Sequence, residues 1–559
     1  MEKIENLPGT KIVATFGPAC KDENTLLEMV RNGVSCFRLN TAHSTPEELE
    51  YLVSIREKFR KDHSLTVSIM VDLKGPELRA ILNGDGLQID EGKEYKIGEE
   101  SGSDIRVEVK GILAIVKEND RILFMDGKIS TIVRKVSGSM CTVVAENSGT
   151  LRNRARMNIP GRFIPLGILQ ERDKMYLDMS IQNRIEFVAL SFVQSRDEID
   201  SVHDMIIQKG GDTKIVAKIE TQQAMKNLHD IIQASDSLMV ARGDLGVEMP
   251  LHEVTMSQKK IIRDSHSYGV STIVATQMLE SMVENESATR AEISDVTNAI
   301  LDDADALMLS EETAIGKFPL EAVKTLKNTA LFVEANSPVY PEPEDFYGSR
   351  ITYSMARAAR VIAQESRAHR IVAVTGSGNT ARMLSSVRPG CAIIGVTGST
   401  VTAGQINILR DVRPYVISNF TKDTSPEDIL NELVSAKVLN RGERVVLVSG
   451  NQGYMFSGTS RVSLLNVGKQ VARGYPGGDS CSGKAGKGGI FIGNFSQISS
   501  DKEWIEKYSA FVLSGRVERS VLKAIQHRGK TYISNAIIFE TPPDGADLYI
   551  DAEIGSVFR

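Results

Sequence analysis

The 559-residue sequence is poor in features that would each mark a special class of protein. Its five cysteines lie far apart and show no C-x-x-C spacing, which argues against a disulfide framework or a zinc site. No apolar run approaches the roughly 18 residues that a membrane-spanning helix needs. The first residues, MEKIENLPGTKIV, lack the apolar stretch of a signal peptide. We therefore expect a cytoplasmic protein in a reducing compartment.

An excess of positive charge is also missing. The chain has 66 Lys and Arg against 72 Asp and Glu, a formal net charge of −6. A protein of this charge has no basic surface for nucleic acid or for an anionic membrane. We therefore expect its partners to be small molecules or other copies of the chain. The length exceeds what one core can hold and indicates about three or four domains.

Eight short apolar runs, most of them followed by a segment with helical periodicity, dominate the first part of the chain. The runs begin at Lys11, Ser35, Leu65, Ile185, Thr213, Ser237, Val270 and Asp305. Eight βα repeats favour an α/β fold of the closed (β/α)₈ TIM-barrel type over an open sheet. Between the third and fourth runs, short alternating strands with Gly and Asn/Asp turns predict a small inserted β-barrel that could close over the barrel mouth as a lid.

Composition also suggests the domain boundaries. A segment with three prolines from Ser337 reads as a linker, and a later glycine-rich stretch reads as a flexible one. We predict a barrel from residues 1–80 and 163–340, a β lid at 81–162, an α/β regulatory domain at 350–474, a linker at 475–489, and a small α/β unit at 490–559.

Polar residues at the carboxyl ends of the predicted strands indicate a site, because TIM-barrel active sites gather there. Side chains alternate along a strand, which directs the following residues toward the barrel axis: Arg38, Asn40, Asp72, Lys74, Lys218 and Glu220. Asp244 and Thr276 follow the next two strands. One inward charge could be a satisfied structural ion pair, but repetition at neighbouring strand ends favours a site. Two carboxylates beside a lysine and an arginine suit Mg²⁺ and an anionic substrate.

Successive segments then resemble the signatures of one family. TKIVATFGPA, FRLNTAHS, DLKGPELR, KIET, MVARGDLGVEMP, ATQMLESM and TRAEISDVTNAILDDADALMLSEETAIGKFP are similar, in order, to those of the pyruvate kinases, from about residue 10 to 470. The resemblance implies phosphoryl transfer from phosphoenolpyruvate to ADP with Mg²⁺ or Mn²⁺, the final step of glycolysis. It also implies a cytoplasmic homotetramer.

The resemblance implies a role for each matching residue. Lys218 would be the catalytic lysine, Glu220 and Asp244 the Mg²⁺ ligands, Arg38 the phosphoryl contact, and Thr276 a residue on the side where the enolate is protonated. Backbone N–H groups around Ala241, Arg242 and Gly243 would receive the substrate carboxylate, and His43, Arg79 and Asn40 would lie on the nucleotide side.

Two departures from the family pattern concern the cations and the nucleotide. Asn40, Asp72 and the carbonyl of Leu73 match ligands of the family's K⁺ ion, but Ala42 stands where a serine hydroxyl is usual. Glu77 is typical of K⁺-requiring members and Leu73 of K⁺-independent ones, so we expect a weakened K⁺ site. Arg154, Ala155 and Arg156 replace the residues before VNLPG, where lysines usually face the nucleotide, so nucleotide preference could be shifted.

Two later segments have weaker signals. TGSGNT resembles the family's sugar-phosphate effector loop, with Thr375, Ser377, Gly378, Asn379 and Thr380 as its contacts; the alternative is an ordinary βα turn that needs glycine. The last unit weakly resembles a phosphohistidine-type extension, but its SGRVERSVLKA segment contains no histidine. We expect His527 to cap or solvate a helix end and the unit to have a structural or assembly role.

Two alternatives remain open at this point. Another barrel enzyme of the enolpyruvate class, such as a metal-dependent aldolase or a phosphoenolpyruvate mutase, would share the Lys, Glu, Asp and Mg²⁺ pattern without needing the lid. A catalytically idle member could serve as a metabolite sensor or scaffold, although such a site would be expected to lose at least one of its charged residues.

Overall fold

The chain divides into two units in the structure, a computed structural model. It describes residues 7–100, 102–337, 345–418, 420–421, 424–450, 459–468, 470–486, 488–494, 503–553 and 555–559. The first unit comprises residues 1–356, 375–388 and 393–416, and the second comprises 357–374, 389–392 and 417–559. Most of the proline-containing segment that we predicted as a linker after Ser337 lies outside the described residues.

The first half of the barrel and the lid come first in the chain. The elements are β1 (Lys11–Thr15), α1 (Glu23–Arg31), β2 (Val34–Asn40), α2 (Pro46–His63), β3 (Ser68–Leu73), β4 (Leu78–Ile81), β5 (Gly86–Ile89), β6 (Glu94–Gly98), β7 (Ile105–Val107), β8 (Arg121–Phe124), β9 (Ile129–Ser137), β10 (Met140–Ala145), β11 (Gly149–Arg152) and β12 (Ala155–Asn158).

The second half of the barrel follows the lid. Its elements are α3 (Glu171–Gln182), β13 (Phe187–Leu190), α4 (Arg196–Gln208), β14 (Lys214–Ile219), α5 (Gln222–Lys226), α6 (Leu228–Ala234), β15 (Ser237–Ala241), α7 (Arg242–Glu248), α8 (Leu251–His266), β16 (Ser271–Ala275), α9 (Arg290–Leu301), β17 (Ala306–Leu309), α10 (Glu311–Ala314) and α11 (Pro319–Asn336).

Eight parallel strands close into a barrel in the order β1-β17-β16-β15-β14-β13-β3-β2. These are the eight apolar runs of the sequence, so the TIM-barrel prediction is confirmed. Phe37, Leu39 and Val71 join the large apolar cluster between strands and helices, whereas Val13, Met70 and other buried residues fill the barrel interior. The alternation leaves polar residues to face inward only where each strand ends.

The lid is a second closed barrel, of seven strands in the order β10-β6-β7-β4-β12-β8-β9, with a separate β11-β5 pair beside it. Its interior is apolar and includes Ala80, Ile97, Phe124 and Val143, all fully buried. The inserted β-barrel predicted from the short alternating strands is therefore confirmed. Strand β12 pairs with β4 so that Arg156 lies directly opposite Arg79.

The remaining elements begin beyond the linker. They are α12 (Arg350–Glu365), β18 (Arg370–Val374), α13 (Asn379–Ser386), β19 (Ala392–Thr397), α14 (Thr400–Gln405), β20 (Val412–Val416), α15 (Pro426–Ser435), β21 (Arg444–Gly450), β22 (Thr459–Asn466), β23 (Gln470–Gly477), β24 (Cys481–Lys484), β25 (Ile490–Asn494), α16 (Glu503–Glu506), β26 (Ala510–Ser514), α17 (Arg519–Gln526), β27 (Thr531–Ile538), β28 (Asp547–Asp551) and β29 (Ser556–Phe558).

Within the first unit, residues 375–388 and 393–416 pack against the amino ends of the barrel strands. Ser68 Oγ donates to the carbonyl of Gly404 at 2.7 Å, and the buried Arg388 bonds Asp303 at 2.7 Å and Asp305 at 3.0 Å. Parallel strands β19 and β20 belong to this region. The strands of the predicted α/β domain therefore divide between the two units, and its α/β character is confirmed.

The second unit holds the parallel pair β18–β21, the antiparallel strand β22, and a terminal seven-stranded sheet in the order β24-β28-β29-β23-β27-β26-β25. Arg444 on β21 binds Asp551 at 2.7 Å and Glu553 at 2.8 Å near the end of the chain. His527 is the exposed C-cap of α17, as expected.

One domain prediction needs correction in this unit. Residues 475–489, predicted as a flexible glycine-rich linker, contribute to β23 and β24 of the terminal sheet. Close packing explains the glycine directly before this segment, because a Cβ on Gly474 would lie 2.6 Å from the carbonyl oxygen of Ser534 on the paired strand. Among the described residues no helix is long and apolar enough to cross a membrane.

Candidate active site at the carboxyl ends of the barrel strands

Lys218 is the centre of a polar cluster at the barrel mouth. It precedes the last residue of β14 and is almost fully buried. Its Nζ donates to Ser191 Oγ at 2.7 Å and lies 3.2 Å from Asp72 Oδ1 and 3.0 Å from Glu220 Oε1. These three oxygens match the three N–H donors of an ammonium group, so the lysine is held as a cation in one position.

Arg38 shares a carboxylate with Lys218. Its Nε donates to Asp72 Oδ2 at 2.7 Å, and its Nη1 donates to Thr15 Oγ1 at 3.1 Å. The strands explain this contact, because β2 and β3 pair in parallel with Asn40 opposite Asp72. Arg38 and Asp72 are both well buried, with 11% and 2% of their side chains exposed.

Glu220 and Asp244 supply the two carboxylates that we predicted for a divalent cation. Glu220 is buried; its Oε2 accepts from the backbone N–H of Phe192 at 2.7 Å, and its Oε1 forms the ion pair with Lys218 Nζ at 3.0 Å. Asp244, in the first turn of α7, accepts from Arg156 Nη1 of the lid at 2.6 Å.

Burial and charge set the protonation of this cluster. Burial would raise the pKa of Asp72, but Lys218 and Arg38 hold it below its usual range. Burial raises the pKa of Glu220 to about 7 despite the neighbouring Lys218. The pKa of Asp244 is instead lowered, because Arg156 and Lys218 outweigh its burial. Asp72 and Glu220 in turn raise the pKa of Lys218 against the effect of burial.

The α7 side of the site is fixed by Arg242. It donates to both carboxylate oxygens of Asp295, at 2.8 and 2.6 Å, and to the carbonyl of Thr276 at 2.6 Å. The guanidinium of Arg242 therefore holds the loop at Thr276 in place. The backbone of Arg242 begins α7, directly after Ala241. The N–H of Gly243 donates to Thr276 Oγ1 at 2.9 Å.

Thr276 itself has an unusual backbone. Its φ is +69°, and that of Gln277 is +53°. A positive φ is costly for a β-branched residue, and such strain persists where surrounding contacts enforce it, commonly at functional sites. The contacts from Arg242 and Gly243 provide that enforcement here and direct the Thr276 hydroxyl toward the start of α7.

The predicted K⁺ ligands lie together, but each proposed oxygen already has a protein partner. Asn40 Oδ1 accepts from the Ala42 N–H at 3.1 Å, and the Leu73 carbonyl accepts from Ser191 Oγ at 2.8 Å. Asp72 is engaged by Arg38 and Lys218, as described above. Ala42 supplies no hydroxyl, and two cations, Arg38 and Lys218, already contact the Asp72 carboxylate.

The predicted nucleotide contacts lie at the edge of the site. His43 is exposed after β2, and its backbone N–H donates to the Asn40 carbonyl at 3.1 Å. Arg79 on lid strand β4 forms an ion pair with Glu77 and donates to the Arg154 carbonyl at 2.9 Å. Lys74, which we expected to face inward, is 40% exposed and pairs with Glu77 at 3.2 Å, because it follows the last residue of β3.

Three contacts of the site were not foreseen from the sequence. Ser191 directly follows β13, so the search for polar residues at strand ends could have found it. Asp295 lies on helix α9, where periodicity gives no sign of its contact with Arg242. Arg156 was noted only as a change in the nucleotide-facing segment; the structure places its guanidinium on Asp244 and 4.7 Å from the centre of the Phe192 ring.

The effector-loop residues divide into two groups. Ser377, Gly378 and Asn379 line a cavity of about 280 Å³, together with Lys214, Asp236 and Arg382. Thr375 and Thr380 are buried beside it. Gly378 is the N-cap of α13 with φ +85°, which is the conformation that glycine adopts most easily.

The chemistry of the mouth residues fits a divalent cation. Within the described part of the chain no cluster of three His, Cys, Asp or Glu side chains could hold a metal alone. Mg²⁺ does not need one, since it commonly binds one or two carboxylates and fills its other positions with water and substrate oxygens. Glu220 Oε1 is buried, and its 3.0 Å contact with Lys218 Nζ is an ion pair outside ideal hydrogen-bond geometry, so this oxygen is suited to such an ion.

The fold is a TIM barrel with a β-barrel lid, and its mouth holds two adjacent carboxylates, a buried lysine and an arginine. This combination is typical of the metal-dependent phosphotransferases, in which charge neutralisation and positioning do most of the catalytic work. Residues 7–323 match the pyruvate kinase barrel domain, and residues 353–462 match the pyruvate kinase alpha/beta domain. The chain therefore belongs to the pyruvate kinase family, whose members transfer a phosphoryl group from phosphoenolpyruvate to ADP in glycolysis.

Individual relatives agree with this assignment. The chain is 41% identical over 552 residues to a pyruvate kinase of Thermoplasma acidophilum, covering 98% of each chain. It is 34% identical over 479 residues to a Staphylococcus aureus pyruvate kinase, covering 83% of this chain and 81% of that one. A solved pyruvate kinase structure from Cryptosporidium parvum superposes with a TM-score of 0.76 at 30% identity, over 83% of this chain and 97% of that one.

Proposed function

We propose that this chain transfers the phosphoryl group of phosphoenolpyruvate to ADP at the barrel mouth, with Lys218, Arg38 and Thr276 as its catalytic residues. The observation that carries this assignment is the position of Lys218, whose ammonium group lies within 3.2 Å of both Asp72 and Glu220, at the carboxyl ends of β3 and β14. The raised pKa of Lys218 keeps it positively charged at neutral pH, as a group that neutralises phosphoryl and enolate oxygens must be.

Glu220 and Asp244 would hold Mg²⁺ or Mn²⁺, which supplies additional positive charge for the phosphoryl group. Arg38 contributes a guanidinium with further N–H donors beyond its bond to Asp72, in the planar geometry that suits phosphate oxygens. Backbone N–H groups at Ala241, Arg242 and Gly243 receive the substrate carboxylate at the start of α7. Thr276 faces the same region, on the side where the enolate gains its proton.

The decisive experiment replaces Lys218 by methionine. A coupled assay of pyruvate formation with ADP and Mg²⁺ should show kcat reduced by more than a thousandfold. Lys317→Met on the surface is the matched control, since among the described residues that lysine forms an ion pair only with the exposed Glu284. Retained ATP production in Lys218→Met would reject the assignment, and lack of turnover in the unmodified protein would favour an idle sensor or scaffold.

A monovalent cation, K⁺, would bind at Asn40, Asp72 and the Leu73 carbonyl. The site should be weak, because Arg38 and Lys218 already neutralise Asp72 and because Ala42 contributes no oxygen. Kinetics with and without K⁺ measure this directly. A change smaller than twofold would show that the ion has no role in this chain.

A phosphorylated effector is the second binding function that we propose. The cavity that includes Ser377, Gly378 and Asn379 also contains two cationic side chains, Lys214 and Arg382. Sugar phosphates and nucleotides should shift the phosphoenolpyruvate saturation curve of the unmodified enzyme and not that of Arg382→Gln. If no member of such a panel changes either curve, the loop is an ordinary βα turn.

Assembly and location follow from the family. We propose a cytoplasmic homotetramer, as expected for a glycolytic enzyme of this type. The terminal sheet would serve structure or assembly and not phosphotransfer, because its SGRVERSVLKA segment carries no histidine. Absence of phosphate label on the exposed His527 after incubation with phosphoenolpyruvate would agree with this role, and sedimentation gives the subunit number.

A further inference from the structure

Arg156 lies where a divalent cation would interact with Asp244. Its Nη1 is 2.6 Å from Asp244 Oδ1 and 3.4 Å from Asp126 Oδ1 of the lid, and its side chain is only 17% exposed. Within the described chain, no other cationic side chain lies within ion-pair distance of Asp244. The contact joins a lid strand to a barrel helix directly at the candidate metal site.

Each carboxylate proposed for the site has a cationic partner without any metal. Three cations, Lys218, Arg38 and Arg156, face three carboxylates, Asp72, Glu220 and Asp244, through ion pairs of 2.6 to 3.2 Å. Buried carboxylates without such compensation would be strongly destabilised. Arg156 therefore supplies the positive charge that Asp244 needs when no divalent ion is bound.

A divalent ion on Asp244 would compete with Arg156 for the same negative charge. A divalent ion bound to Asp244 would stand within a few ångströms of the guanidinium, where like charges repel strongly in a partly buried site. The ion would also neutralise Asp244 and so weaken its attraction for the Arg156 guanidinium. Binding of the ion should therefore release Arg156 from Asp244.

The released guanidinium has a second function within reach. Arg156 lies directly opposite Arg79 in the β12–β4 pair, so the two side chains share the outer face of the lid. The Nη2 of Arg156 is buried and has no hydrogen-bond partner within the described chain. Its stacking on Phe192, 4.7 Å from the ring centre, limits how far it moves. Two guanidinium groups on the same face of the lid would together offer planar sets of N–H donors that suit phosphate oxygens.

We propose that Arg156 exchanges partners during the catalytic cycle: it neutralises Asp244 in the metal-free enzyme, and after metal binding it joins Arg79 as a clamp for the phosphates of ADP. The proposal rests on the assignment of Asp244 as a metal ligand. It makes the order of binding matter, since metal arrival at Asp244 prepares the lid for the nucleotide.

The first test measures Mn²⁺ binding to the substrate-free protein by electron paramagnetic resonance. Arg156→Gln should bind Mn²⁺ about tenfold more tightly than the unmodified protein, a change of about 1.4 kcal/mol. Arg121→Gln is the control, a lid arginine paired with Glu146 at 3.0 Å on the exposed surface, and should bind Mn²⁺ normally. Unchanged or weaker Mn²⁺ binding by Arg156→Gln would reject the proposal.

The second test separates the effect of Arg156 on metal binding from its effect on nucleotide binding. At saturating Mn²⁺, Arg156→Gln should raise the KM for ADP about tenfold and leave the KM for phosphoenolpyruvate within twofold. Arg156→Lys keeps the charge but loses the fork, so it should bind Mn²⁺ nearly normally and still raise the KM for ADP. An unchanged KM for ADP in both variants would overturn the proposal.

Asp244→Asn distinguishes failure of this inference from failure of the proposed site. If Asp244→Asn binds Mn²⁺ as the unmodified protein does, Asp244 is not a ligand and the metal assignment itself is wrong. If Asp244→Asn loses Mn²⁺ binding but Arg156→Gln shows no gain, only the exchange of partners is rejected. Thermal denaturation of each metal-free variant checks that it remains folded.

Discussion

Ser191→Ala tests how Lys218, the lysine that we propose as catalytic, is positioned. Ser191 Oγ accepts a hydrogen bond from Lys218 Nζ at 2.7 Å and donates one to the Leu73 carbonyl at 2.8 Å. The serine is buried, so water cannot readily replace its hydroxyl. The variant leaves Lys218 with two carboxylate partners and one ammonium N–H unpaired, and it frees the ammonium to shift toward Asp72 or Glu220.

The expected loss can be estimated from this one contact. A hydrogen bond to a charged group contributes about 1.5–3 kcal/mol, and each 1.36 kcal/mol lost from transition-state stabilisation reduces the rate tenfold. If the bond acts on the transition state, kcat should fall by about 10- to 100-fold. The KM for phosphoenolpyruvate should change little, because we propose that Arg38 and the start of α7 provide the ground-state contacts.

Steady-state pyruvate formation at saturating ADP and Mg²⁺ measures this effect. Ser68→Ala is the matched control: it removes an equally buried serine hydroxyl, which donates to the Gly404 carbonyl at 2.7 Å at the opposite end of β3. The control should lose stability but keep its kcat. A kcat for Ser191→Ala within threefold of the unmodified enzyme, or an equal loss in both variants, would refute the reasoning.

Three other changes have definite expected outcomes. Asp295→Asn weakens the bidentate brace on Arg242, so steady-state kinetics should show kcat lowered about tenfold; an unchanged kcat would exclude a bracing role. Arg388→Met removes the cation shared by two buried carboxylates, Asp303 and Asp305. Arg410 and His266 compensate them only in part, so denaturant titration should show unfolding easier by about 3 kcal/mol, and an unchanged midpoint would contradict this. Burial would raise the pKa of Asp305, but Arg388 and His266 hold it far below its usual value. Its stabilising contribution should therefore persist above pH 4 and be lost as the pH falls below that; acid titration of Asp305→Asn should show a shallower decline, and an identical decline would argue against it.

Strand periodicity was sufficient to predict the barrel and to direct residues such as Arg38, Asp72 and Lys218 toward its axis. This worked because one-sided burial fixes which face of each strand is apolar, and a single register places every strand end at one mouth. Lys74 escaped the pattern because the strand stops at Leu73. Alternation predicts nothing beyond the last paired residue.

Contacts between distant segments could not be predicted in this way. Arg156 meets Asp244 only because the lid returns its strand β12 to the barrel mouth, and a single sequence contains no signal for that approach. The glycine-rich segment near Gly474 was misread for another reason. Glycine is usual in linkers, but here its missing side chain allows the Ser534 backbone to pass close by.

The ion pairs of Arg444 affect how the last part of the chain can be studied. This guanidinium on β21 is only 10% exposed and binds two carboxylates, Asp551 and Glu553, near the carboxyl terminus. Cutting the chain after β22 would remove both counter-ions and leave a largely buried positive charge without them on β21, the strand that pairs with β18. A truncated protein would therefore be destabilised. Substitutions on the surface of the terminal sheet are a better way to determine what the sheet contributes.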